Sequence, residues 1–155
     1  MNEDEKWMKV ALNQALKAEA EGEVPVGAVI VKNQKLIAEA CNQPVSKNDP
    51  TAHAEIQALR IAGKKLGNYR LVNTTLYVTL EPCSMCLGAI IHARCVRIVF
   101  GAYDIKTGSC RSCEELKNIN YTKQMPIITG GILESQCKEI LQKFFRVRRK
   151  NSFDT

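Results

Sequence analysis

The sequence predicts an α/β fold, a three-layer α/β/α sandwich in which a central mixed sheet of about five strands carries helices on both faces. Three observations predict it. Helical periodicity alternates with short β-rich runs, in the order helix, two strands, helix, strand, helix, strand, then a final strand or loop and a helix. The run Val26-Gly27-Ala28-Val29-Ile30-Val31 is almost continuously apolar, as in a strand covered on both faces. With 155 residues, 45% hydrophobic and 25% charged, the chain can bury a core without disulfides, as one domain over 1–155.

Each element has its own signal. Trp7, Val10, Ala11, Leu12, Ala15, Leu16 and Ala18 recur near helical spacing between Glu3 and Glu21, with Gly22 as the stop. Val26–Val31 and Leu36–Ala40 read as strands joined by the polar turn Lys32-Asn33-Gln34-Lys35. The stretch from Asn42 to Pro50, rich in Pro, Asn, Ser and Asp, reads as a loop that delivers the chain to Thr51 as an N-cap. A helix follows over Ala52–Leu66, with Ile56, Leu59, Ala62 and Leu66 on one face and Gly67 as its stop. Thr74–Leu80 reads as a strand, Ser84–Arg94 as a compact apolar helix and Val96–Phe100 as a strand. The polar connector Gly101–Asn120 holds a short helix near Glu114-Glu115-Leu116, and Pro126-Ile127-Ile128-Thr129 is a short strand before Gly130-Gly131. Ile132, Leu133, Ile140, Leu141, Phe144, Phe145 and Val147 place a last amphipathic helix over 132–150, running into a basic end.

The acidic start, Met1 to Lys6, leads into no long apolar run, and apolar runs elsewhere are strand-sized. A cytoplasmic protein with no membrane partner is therefore expected. Seven cysteines, an odd number, point to reduced thiols or metal ligands rather than a disulfide framework. The net charge of +6 is uneven, with Lys143, Arg146, Arg148, Arg149 and Lys150 crowding the end. That cluster suits a polyanion partner, against the plainer reading of a solvated face.

Two stretches carry chemistry, Thr51-Ala52-His53-Ala54-Glu55 and Glu81-Pro82-Cys83-Ser84-Met85-Cys86. His53 and Glu55 fall in the first turn of one helix, and Cys83 and Cys86, three apart, share the first-turn face of another. If the two helix starts meet at one end of the sheet, their positive dipole ends favour thiolates there. An imidazole and two thiolates suit one Zn2+ per chain, and three ligands leave a position open for water and hydrolytic chemistry. The competing reading is a closed structural zinc completed by Cys95, Cys110, Cys113 or Cys137. Glu55 speaks against it, being surplus to the ligand set.

Taken with their flanks, these motifs closely resemble the zinc-dependent nucleoside and nucleobase deaminases, and within them the bacterial tRNA adenosine deaminases. The flanks are Gly22 to Ala28, Asn42, Pro50 to Glu55, Tyr69-Arg70-Leu71, Leu76 to Cys83, Gly101-Ala102-Tyr103-Asp104 and Phe144-Phe145-Arg146. The resemblance implies a cytidine deaminase-like fold, a homodimer, and zinc on His53, Cys83 and Cys86 with Glu55 as proton shuttle. It implies that zinc acidifies a water, Glu55 takes its proton, and attack falls on C6 of adenine with loss of ammonia. The substrate implied is the wobble adenosine in the anticodon stem-loop of a tRNA, in arginine tRNA by family.

By the same resemblance Asn42 holds the target nucleoside, and Val24, Pro25 and Asp104 lie around the flipped base and its neighbours. Phe145, Arg70, Lys106, Arg146, Arg148 and Arg149 match regions that meet the stem-loop. Plainer readings stand beside these: turn chemistry for Asn42, turn capping for Asp104, loop packing for Val24-Pro25, and core packing for at least one of Phe144 and Phe145. His92 reads as a packed or interface residue. Cys110 and Cys113 read as inert thiols, against a second metal or redox pair. Two rival functions remain, deamination of a free base or nucleotide such as guanine, cytosine or deoxycytidylate, and a non-catalytic zinc-stabilised RNA-binding domain.

Overall fold

The computed structural model describes residues 1–112 and 125–153. In order they form α1 (Glu3–Ala20), β1 (Gly27–Lys32), β2 (Lys35–Cys41), α2 (Pro44–Lys47), α3 (Ala54–Leu66), β3 (Thr74–Leu80), α4 (Ser84–Ala93), β4 (Arg97–Ala102), β5 (Ile127–Thr129) and α5 (Glu134–Phe153). The helix expected near Glu114-Glu115-Leu116 lies outside the described residues, as does Cys113.

The strands order as β2-β1-β3-β4-β5. β1 is antiparallel to both neighbours, whereas β3, β4 and β5 are parallel, so the sheet is mixed as expected. α1 and α5 pack together on one face, and α3 and α4 pack together on the other. The apolar run of β1 is buried from Gly27 to Val31 because it lies between α1 and α3. Small residues bring α1 unusually close: Ala11, Ala15 and Ala18 are fully buried, and a Cβ on Gly27 would strike the Ala11 carbonyl. Val29, Ile30, Leu76, Val78, Ile98 and Phe100 fill the core, and each such side chain contributes roughly 1.5–3 kcal/mol on burial.

The β1–β2 turn works because Asn33 and Gln34 both adopt left-handed backbone, at φ 50 and 60°. Most element ends lie within one or two residues of the sequence reading, and three differences have a local cause. The loop after Asn42 contains α2, which Pro44 starts and left-handed Asn48 ends. α3 begins at Ala54 and not at Ala52, because the Thr51 amide and hydroxyl both donate to the Asp49 carboxylate, at 2.9 and 2.7 Å. Thr51 is thereby turned back towards the loop, and His53 becomes the N-cap. α5 begins at Glu134 and not at Ile132, because Gly131 and Leu133 take positive φ, 84 and 52°.

The register sorts the loops between the two ends of the sheet. β3 and β4 finish where β1 starts and β2 stops. Asn42, α2, the N-termini of α3 and α4, and the turn after β4 therefore gather at that end. At the other end β3 and β4 begin, and Arg97 pairs with Asp4 of α1 at 2.7 Å.

Candidate active site

His53 and Cys83 occupy the same local position, the extended residue before a helix, and neither makes a side-chain capping bond. Their side chains are thus free to turn towards each other. His53 Nδ1 lies 3.7 Å from Cys83 Sγ and 3.5 Å from buried Cys86 Sγ, and the three donor atoms fall within 4.8 Å of one another. Zinc bonds of roughly 2.3 Å to sulfur and 2.0–2.1 Å to nitrogen, at tetrahedral angles, require N–S edges of roughly 3.6 Å. The observed edges match, and the donor types suit zinc, so the residues fit the ion. Among the described residues no fourth His, Cys, Asp or Glu joins this group. Two helix N-termini aim their positive ends at the same point.

The hydrogen bond from Cys86 draws the Cys83 thiol down to about 4, and Cys86, which gives that bond while buried, is pushed up. The hydrogen bond to Cys83 raises His53. Glu55, one residue into α3, is buried against the same sulfurs, and burial pushes its carboxyl up to about 6. A carboxyl poised there holds or releases a proton near neutral pH.

The other predicted residues divide by end. Asn42 is buried and its N–H donates to the Val26 carbonyl at 3.0 Å; across Pro25 the Val24 carbonyl accepts from Val26 N–H at 2.9 Å. Both segments stand at the triad end. So do Asp104 and Lys106, but the Asp104 carboxylate accepts from Lys106 N–H, Thr107 N–H and the Thr107 hydroxyl, at 3.1, 3.1 and 2.6 Å, and so caps its own turn. Phe144 is buried and Phe145 exposed, as the helical spacing required of at least one of them. Arg148 Nη2 donates to the Gly22 carbonyl at 3.1 Å and its guanidinium stacks on Phe144, 4.9 Å away, which ties the end of α5 beside Val24-Pro25. Arg146 and Arg149 are exposed on that end.

Arg70 is not brought to this end. It precedes β3, beyond the 13 residues of α3, about 20 Å of helix, and lines a cavity of about 480 Å³ with Asn73, Arg94 and Cys95. Its Nε donates to the Tyr69 hydroxyl at 3.1 Å. His92 is exposed on the last turn of α4, because Leu87, Ile90 and Ile91 take that helix's buried side. Cys110 is buried and its thiol is pushed up to about 12 by burial, in keeping with an inert residue.

Two residues that sequence reasoning gave no role, Glu23 and Glu81, are buried carboxylates at the triad end. Glu23 accepts from Val45 N–H, Ser46 N–H and the Ser46 hydroxyl, at 3.1, 2.7 and 2.8 Å, and so fixes α2. Glu23 follows Glu19 and Glu21 with nothing local to single it out, and Glu81 shows only as an acidic residue between Leu80 and Pro82.

Residues 1–102 match the family model of the cytidine and deoxycytidylate deaminase zinc-binding region. The chain belongs to the cytidine and deoxycytidylate deaminase family. As a deaminase it is a hydrolytic enzyme. A tRNA-specific adenosine deaminase from Haemophilus influenzae is 51% identical over 152 residues, covering 95% of this chain and 86% of that protein. A solved structure from studies of A-to-I editing by tRNA deaminases at the wobble position of transfer RNA superposes with TM-score 0.83 at 42% identity, covering 88% of this deaminase and 99% of that chain. The guanine deaminase from Bacillus subtilis superposes with TM-score 0.64 at 35% identity, covering 96% and 95%.

Proposed function

We propose that this deaminase converts the wobble adenosine of a tRNA anticodon loop to inosine, with water entering and ammonia leaving. His53, Cys83 and Cys86 hold one zinc ion per chain, and Glu55 moves the proton. Zinc held there supplies the Lewis acidity that makes water a nucleophile near neutral pH. Glu55 takes a proton from the attacking water on its carboxylate and delivers it to N1 of the purine. It then takes the second proton from the new C6 hydroxyl and delivers it to the amine, which leaves as ammonia as the C6 carbonyl forms; its burial and raised pKa support both halves of the task. Asn42 and the Val24-Pro25 turn line the approach to the triad, where an unstacked adenine enters. The 155 residues act as one deaminase domain, in a cytoplasmic homodimer; no helix among the described residues is long and apolar enough to cross a membrane.

The observation that carries the RNA reading is the Arg148–Gly22 bond. It ties the basic end of α5 to the loop that leads to the site, so that exposed Phe145, Arg146, Arg149 and Lys150 stand where a polyanion with unstacked bases would approach. The likeness to guanine deaminase supports a second reading, in which a free base is the substrate. Mass spectrometry of an anticodon stem-loop and of free guanine, each incubated with the zinc-loaded enzyme, separates the two. Inosine at the wobble position with guanine untouched is the expected result; xanthine formation with an unchanged stem-loop overturns the RNA reading.

A further inference from the structure

Glu81 directly follows β3, two residues before Cys83, and is 2% exposed. Its carboxylate receives five hydrogen bonds, all from the segment that follows β4. The Asp104 N–H donates to Oε1 at 3.0 Å, and the Cys110, Arg111 and Ser112 N–H groups donate to Oε2 at 3.1, 2.7 and 2.9 Å. The Ser112 hydroxyl is the fifth donor, to Oε1. A carboxylate has about four lone-pair sites, so this one is saturated. The segment is wrapped around it: a Cβ on Gly108 would strike the Glu81 carboxyl carbon, Gly108 N–H donates to the Asp104 carbonyl at 2.8 Å, and Ser109 N–H donates to the Pro82 carbonyl at 2.9 Å.

The negative end of β3 thus plays towards the 104–112 loop the part that a bound anion plays in a backbone nest. The loop has no regular secondary structure to hold it, and its side chains bond mostly within the turn. It nevertheless presents Ile105 and Lys106 at the end of the sheet where the triad opens, with Ile105 84% exposed. So large an apolar side chain held in water on an ordered turn suits contact with a base.

We propose that Glu81 is a positioning residue for substrate: by holding the 104–112 loop in one conformation it preforms the surface that receives the nucleotides around the target base, while taking no part in zinc binding or proton transfer. This rests on the RNA reading above. In Glu81→Gln one carboxylate oxygen becomes an NH2 donor. With the amide oxygen kept at the three-donor position, that NH2 faces the Asp104 N–H, so the start of the loop is released first. Loss of a contact made equally to substrate and transition state raises KM and leaves kcat alone.

The test measures kcat, KM and zinc content of wild type, Glu81→Gln and Gly108→Ala on an anticodon stem-loop. Gly108→Ala attacks the same clamp from the loop side. KM is expected to rise about tenfold in both variants, with kcat within about threefold of wild type and zinc content unchanged. Unchanged KM in either folded variant, or a fall in kcat at unchanged KM, overturns the proposal. If Glu81→Gln does not fold, Gly108→Ala decides alone, and should it fail as well the residue is structural and the proposal falls. Wild-type turnover of the stem-loop, read in the same experiment, reports separately on the RNA reading.

Discussion

Glu55 and Glu81 lie at the same end of the sheet and are almost equally buried, at 4% and 2% exposed, yet their surroundings drive them in opposite directions. Around Glu55 burial dominates and the carboxyl rises to about 6, close to two thiols and an imidazole. Around Glu81 burial would also raise the carboxyl, but hydrogen bonds from Ser112, Arg111 and Asp104 together outweigh it and hold the group below the ordinary carboxylate range. Burial alone therefore does not say what a carboxylate is for. The number of amide donors aimed at it does: surrounded by N–H groups from four other residues, as Glu81 is, it is locked as an anion and organises chain, whereas with only its own N–H, as at Glu55, burial prevails and it can exchange a proton. Glu23, held by Val45 and Ser46, belongs with Glu81.

The largest way to break this contrast is at the triad itself. Cys86→Ala is expected to lose most bound zinc and all deaminase activity, as metal analysis beside an activity assay would show; full zinc content in the variant would dismantle the ligand assignment. The next effect is on stability. Glu23→Gln should cost about 1–3 kcal/mol in denaturant unfolding, because it replaces an acceptor that Val45 and Ser46 require. Its sign with pH follows from the lowered value. The stabilisation is fully present above the ordinary carboxyl value of 4.5 and is lost as pH falls through the folded-state value, so wild type and variant should converge in acid. A constant gap at all pH values would mean that the carboxylate charge is not what holds α2.

Smaller effects separate residues within α5. Arg146→Gln should weaken stem-loop binding and reduce the magnitude of the log–log salt slope by about 1, while Arg148→Gln, which cuts the tie to Gly22, should lower stability with little change of slope. Titration at several salt concentrations checks both, and the reverse assignment would make Arg148 the phosphate contact. Smallest is Asp4→Asn at the far end of the sheet. The Arg97 pair is part-exposed, so the loss should be about 1 kcal/mol or less, and kcat/KM should stay at the wild-type value.

Residues whose role is local could be read from the sequence. The ligand triplet announced itself because each ligand sits at a helix start flanked by its own motif, and the strands of the sheet were legible through apolar runs and punctuating turns. β5 was visible although it has only three residues, since Gly130-Gly131 marks where it ends. What could not be read were competitions and distant partners. Thr51 looks like a cap until Asp49 captures it, and α2 hides in a stretch rich in loop residues. Glu81 meets donors that begin at Asp104, and Glu23 meets Val45 and Ser46, separations at which no spacing rule operates. Arg70 differs again: the family likeness groups it with stem-loop contacts, and topology places it at the other end of the sheet from the triad.

The central claim is that the buried carboxylate with the fewest amide donors, Glu55, is the one that does chemistry. Its most direct test is the rate of inosine formation in an anticodon stem-loop by zinc-loaded Glu55→Gln, with metal content and melting temperature measured on the same sample. The account predicts full zinc, a melting temperature equal to or above wild type because a buried proton-exchanging carboxyl has been removed, and activity lower by about 10²–10⁴. Near wild-type inosine formation by a zinc-loaded variant would contradict it.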